Sequence, residues 1–391
     1  VGLAEELVQD ALVIALQQWP EAGIPNNPAA WLMGTAKHRA IDRIRREQVA
    51  VRKYAELGRQ LEIEQEIAAA DFDHAMGAEV GDDLLHLMFI ACHPVLASEA
   101  RVALTLRLLG GLTTEEIARA FVVPEPTIAQ RIVRAKRTLA EARVPFELPP
   151  GVERTTRLAS VLAVIYIIFN EGYAATAGDD WMRPALCEEA LRLGRILAEL
   201  APKEPEVHGL VALMEIQASR LRARVGPAGE PILLLEQNRA RWDQLLIRRG
   251  FAALERAAKF GSALGPYALQ AEIAACHARA HTPEATHWAR IVALYDALAQ
   301  LAPSPIVELN RAVALAMAYG PAVGLELVDQ LIAEPLLANY HLLPSVRGDL
   351  LAKLGRNDEA RTEFTRAANL ARNARERELL LERARTVGLD G

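Results

Sequence analysis

GLTTEEIARAFVVPEPTIAQRIVRAKRTLAEAR, residues 111–143, is the stretch on which the fold of this 391-residue chain turns. Thr113 or Thr114 suits a helix N-cap, and Glu116 stands three positions after Thr113, a capping-box spacing. The spacing predicts a short helix with Ile117 and Ala118 inward, ending at Ala120–Phe121. The turn is VVPEP, and Pro126 opens a second helix. On that helix Ile128, Ile132, Ala135 and Leu139 form one narrow apolar stripe, the side that packs on the first helix. Thr127, Gln130, Arg134 and Arg137 lie opposite, flanked by Arg131 and Lys136. Gln and Arg near a helix start reach base edges in a major groove, and basic residues further along suit phosphates. No acidic residue lies between Thr127 and Ala140, so the positive field stands uncancelled there. An amphipathic hairpin with a solvated basic face would share the stripe. Capping, short turn and acid-free face together favour a DNA-binding helix-turn-helix.

A second basic surface precedes it. Asn27 is a good N-cap and Pro28 a good first helical residue, so NPAAWLMGTAKHRAIDRIRREQ reads as a helix from there to about Glu47. Met33, Ala36, Ala40 and Ile44 face inward. Trp31, Thr35, His38, Arg39, Asp42, Arg45 and Arg46 share the outer side. A Trp among arginines offers a ring for an unpaired base and guanidinium groups for its backbone. Trp31 reads equally well as a packing anchor.

Charge supports the pair. The net charge of −6 argues against nucleic acid, but the charge is segregated. The chain is basic from Lys37 to Arg59 and carries no Lys or Arg from Leu61 to Ala100. It turns basic again from Arg101 to Arg143.

Elsewhere the chain reads as all-α. Helices alternate with Pro and Gly punctuation (APKEPE, PAGEP, LGPY, LAPSP, AYGP) from Leu158 to Val387, which suggests a helical-hairpin solenoid. DLLAKLGRNDEARTEFTRAANLA, Asp349 to Ala371, looks like a tetratricopeptide repeat, and the other units match only loosely. The domains expected are 1–59 basic helical, 60–83 acidic linker, 84–145 helix-turn-helix, 146–157 hinge and 158–391 repeat. The apolar run Val161 to Phe169 falls short of the roughly 20 residues that span a bilayer, so a buried helix, no membrane and a cytoplasmic protein are expected. Asn170, Glu171 and Tyr173 after it either cap that helix or line a pocket, with Gly172 as a sharp turn, the structural role being preferred.

Cys92, Cys187 and Cys276 stand far apart without CxxC spacing, so neither a disulfide framework nor a cysteine zinc site is indicated. Cys276, His277, His281 and His287 are the best metal candidate, yet no carboxylate completes the set. Structural or exposed roles are expected there, and a core role for Cys92. With no P-loop, GxGxxG, GxSxG or HExxH, neither catalysis nor a cofactor or metal is expected.

AEELVQDALVIALQQWP, NPAAWLMGTAKHRAIDRIRRE, the acidic connector and the helix-turn-helix together resemble regions two and four of extracytoplasmic-function sigma factors. DDLLHLMFIACHP, VPEPTIAQRIVRAKR and IFNEGY are similar to the subgroup with C-terminal tetratricopeptide-like extensions. The resemblance implies partnership with core RNA polymerase and promoter DNA. Glu6, Gln9 and Asp10 would dock on the polymerase. Asn26 and Asn27 would receive an unstacked minus-ten base, beside Trp31, Arg39, Asp42, Arg43 and Arg46 along the melted strand. Thr127, Gln130, Arg131, Arg134 and Arg137 would read the minus-thirty-five element. The connector would thread the RNA channel, and a further region-two helix is expected before Val1. The repeat domain is expected to regulate, through a protein or peptide partner. A stand-alone helix-turn-helix regulator with a repeat sensor is the alternative.

Overall fold

The computed structural model describes residues 80–144, 151–227, 229–261 and 263–388. Among them there is no strand, only two isolated bridges, and the expected all-α class holds. Val80–Thr105 and Thr114–Gly391 group into one compact unit.

The helix-turn-helix part comprises α1 (Val80–Ala91), α2 (Ser98–Leu108), α3 (Thr114–Phe121) and α4 (Glu125–Glu141). Residues 80–83, expected in the linker, are already helix. α5 (Gly151–Tyr173) begins inside the span expected as a hinge, so 151–157 is helical as well. Leu158, Val161, Leu162, Ile165, Ile168 and Phe169 on α5 are buried, and α1 packs on α5 and on α6 (Pro184–Leu200). The joint is fastened by polar contacts too. Ser160 Oγ donates to the Cys92 carbonyl at 2.5 Å and accepts from Arg101 Nη1 at 2.6 Å.

The remaining helices are α7 (Pro205–Ala218), α8 (Gln244–Phe260), α9 (Pro266–Arg279), α10 (Trp288–Leu301), α11 (Pro305–Tyr319), α12 (Pro321–Leu331), α13 (Leu342–Lys353), α14 (Asn357–Leu370) and α15 (Ala374–Thr386). The prolines that punctuate the sequence are first-turn residues: α6, α7, α9, α11 and α12 all start on one. Pro lacks the N–H that would be orphaned there, and its φ suits a helix start. Asp243 caps α8 by accepting from Leu245 N and Leu246 N, at 2.9 and 3.1 Å.

Helices pack chiefly on their sequence neighbours, as a solenoid requires. α7 is apolar all round and buried between α8 and α9, hence its lack of a polar face. Its one buried acid, Glu215, pairs with Arg195 at 2.7 Å. The Asp349–Ala371 unit is two helices joined through Gly355 (φ +74), with Ala360, Phe364 and Ala367 in the core.

Asn170, Glu171, Gly172 and Tyr173 form the last turn of α5 rather than a sharp turn after it. Gly172 serves close approach instead: a Cβ there would lie 2.6 Å from Cys187 N of α6. Glu171 is buried and ion-paired with Arg183. It also accepts from Thr176 Oγ1 at 2.9 Å, fixing the loop of residues 174–183.

Candidate nucleic-acid interface

α3 and α4 pack as the stripe predicts. Ile117, Ala118, Ile128, Ile132 and Ala135 are buried, and Leu139 is half-buried. α4 starts one residue earlier than expected, at Glu125, with Pro126 in its first turn. The opposite face is open. Gln130 and Arg134 are exposed, with no hydrogen bond or ion pair among the described residues. Thr127 and Arg131 are half-buried. Arg131 lines a cleft of about 180 Å³ that also touches Phe121, Ile128 and Ile167 of α5.

Arg137 is exposed but paired. Glu141, just past the acid-free stretch, accepts from its Nε at 2.7 Å and raises its pKa. The expectation of an uncancelled field therefore holds for Arg134 and fails at the end of the helix.

Sequence reasoning missed how the turn is made. Val122 takes φ +51, the left-handed region that glycine commonly fills in such turns and that disfavours a β-branched residue. Gly178 (φ +95), in the loop after α5, comes up against it: a Cβ there would lie 3.1 Å from Val122 Cγ2. That loop is pinned from the far end of the chain. Asn373, fully buried, donates to the carbonyls of Ala175 (3.2 Å) and Asp180 (2.8 Å). Its Oδ1 caps α15 through Arg375 N and Glu376 N.

Val122→Gly is expected to stabilise the protein by about 0.5–1 kcal/mol, since relief of left-handed strain (about 1–2 kcal/mol) exceeds the added chain entropy. Calorimetric melting checks this. A lower melting temperature would mean that Val122's contact with the 174–183 loop outweighs the strain.

Asn26, Asn27, Trp31, Arg39, Asp42, Arg43, Arg46, Glu6, Gln9 and Asp10 lie outside the described residues. The histidines and cysteines are placed. Cys92 is buried, bonds Thr105 Oγ1 at 3.3 Å, and has its pKa pushed up to about 12 by burial. Cys276 and His277 are buried in α9, while His281 and His287 are exposed, and His287 Nδ1 accepts from Arg290 N at 3.1 Å to cap α10. No His, Cys, Asp or Glu group able to hold a metal ion occurs among the described residues. No described helix is long and apolar enough to cross a membrane.

Comparison with known families agrees with this geometry. Sigma-70, region 4 matches residues 86–139, the span of α1 to α4, and Sigma-70 region 2 matches residues 2–49. A family of unknown function (DUF6596) matches residues 157–258. The open helix-turn-helix is thus that of a sigma-type transcription factor. An uncharacterized protein of Rhizobium meliloti (strain 1021), R00370, is 44% identical over 378 residues, covering 96% of this chain and 88% of that protein. The ECF RNA polymerase sigma factor SigK of Mycobacterium ulcerans (strain Agy99) is 29% identical over 143 residues, 35% of this chain and 71% of that protein. The chain belongs to the sigma-70 family, as an extracytoplasmic-function-like sigma factor with a C-terminal helical extension.

Proposed function

We propose that this sigma factor directs core RNA polymerase to a specific set of promoters and opens them in the cytoplasm, without catalysis of its own. Region two captures the minus-ten strand, through Asn26, Asn27, Trp31, Arg39, Asp42, Arg43 and Arg46. α4 reads the minus-thirty-five element through Thr127, Gln130, Arg131 and Arg134. The observation that carries this reading is the unpartnered, exposed pair Gln130 and Arg134 on a helix whose opposite stripe is buried. Two modest contacts on one chain gain through effective concentration, so neither half needs to be large. The helical extension, read as tetratricopeptide-like, regulates the output by binding a protein or peptide.

Co-purification of the chain with core polymerase, followed by run-off transcription, tests the proposal. A stable complex and promoter-dependent transcripts are expected. Specific duplex binding without polymerase association would favour a stand-alone helix-turn-helix regulator.

A further inference from the structure

Arginines of the helical extension commonly have a carboxylate within ion-pair distance, as Arg183, Arg195, Arg279, Arg311 and Arg347 do. Arg220, Arg224 and Arg239 have no such pair among the described residues, although all three are half-buried. They alternate with aromatic rings instead. Arg224 Cζ lies 3.6 Å from the Tyr173 ring centroid and 5.5 Å from that of Trp181. Arg220 Cζ is 5.7 Å from both Tyr173 and Trp242, and Arg239 Cζ is 5.0 Å from Trp242.

The row is rich in donors that lack acceptors. The Nε atoms of all three arginines and the Nε1 atoms of Trp181 and Trp242 are shielded from solvent without a hydrogen-bond partner. All five can only donate. Gln237 Oε1 is an orphaned acceptor nearby in sequence, but it is neutral. Arg239 is otherwise clamped, donating to the carbonyls of His277 (2.5 Å) and Ala280 (2.7 Å) and to Thr286 Oγ1 (3.2 Å). Arg220 is hydrogen-bonded to the Tyr173 side chain rather than clamped by carbonyls, and Arg224 has no such clamp.

Ring faces offset only part of the desolvation of a guanidinium, and arginine does not escape by losing its proton. The local field is strong enough that burial together with Arg220 and Arg239 pushes the pKa of His277 down to about 3. Shielded donors and uncompensated positive charge in one place call for an oxyanion.

We propose that Arg220, Arg224, Tyr173 and Trp181, backed by the buried Trp242, form a binding site for a small ligand bearing a carboxylate or phosphate group. Its anionic end sits against Arg220 and Arg224, and its body against the rings. The shielding of the donors favours a small molecule over the backbone of a nucleic acid. Trp181 belongs to the 174–183 loop whose Gly178 abuts Val122 of the helix-turn-helix turn, so an occupant would bear on the DNA-reading half. Only that consequence rests on the sigma-factor reading; binding itself does not.

The full chain in chloride buffer is titrated with inorganic phosphate and, separately, with succinate at matched ionic strength, by calorimetry and tryptophan fluorescence. Saturable binding of at least one probe is expected, with a melting temperature about 5 °C higher at a hundredfold excess over Kd. A response to phosphate alone, or to succinate alone, supports the site and assigns its chemistry. Arg224→Gln is expected to weaken binding about ten- to a hundredfold, while Arg224→Lys retains part of it. The exposed neighbour Arg222→Gln should bind like the native chain. No saturable heat with either probe overturns the proposal. So does an equal melting shift in Arg224→Gln, the sign of a general salting effect. The titration of the native chain decides the matter even if a variant fails to fold.

Discussion

Arg134→Ala is expected to lower the affinity of the polymerase-bound protein for promoter DNA about five- to a hundredfold, and to relax discrimination at one minus-thirty-five base pair, corresponding to about 1–3 kcal/mol for a base-reading arginine. Arg134 is exposed and unpartnered, so its guanidinium reaches DNA without first breaking an ion pair. Arg137→Ala should cost less, because that side chain is shared with Glu141. Glu141→Ala should strengthen binding by releasing Arg137 and removing a negative charge near the phosphates. Band-shift titrations at one fixed salt concentration rank the three variants. Undiminished affinity and unchanged base preference in Arg134→Ala would remove α4 from the recognition surface.

The second large effect is on stability. Glu171→Ala leaves Arg183 charged and shielded, and breaking a buried pair by removing one partner costs about 3–5 kcal/mol. Thr176 loses its acceptor as well, so the 174–183 loop loses two of its anchors. Arg183→Leu combined with Glu171→Ala should recover a large part of the loss, because the stranded charge is then gone. Denaturant unfolding measures both. A loss below about 1 kcal/mol for Glu171→Ala would mean that water reaches Arg183 and the pair is effectively at the surface.

The helix-turn-helix core was legible because Ile128, Ile132, Ala135 and Leu139 recur at the period of one helix face, a local signal. Its charged end was less so. The acid-free run ends at Ala140, Glu141 follows directly, and an i,i+4 pair with Arg137 is what a helix brings together. The turn at Val122 gave no warning, since the usual mark of left-handed backbone is glycine. Gly172 misled in the opposite sense: its reason is the backbone of Cys187 on another helix, and only the packing of the two helices brings them together. The Arg and aromatic row was invisible for a similar cause. Its members come from α5, the loop after it, the turn after α7 and the approach to α8, and folding alone assembles them.

The bond from Asn373 to Ala175 spans 198 residues and carries a timetable with it. At about 5–20 residues per second, a ribosome takes roughly 10–40 s to travel from one of these residues to the other. During that interval the nascent chain already displays its DNA-reading helix, while the strut beneath the adjoining turn is still unsecured. A stop codon just before Asn373 would leave nearly all of the protein made and that strut permanently loose.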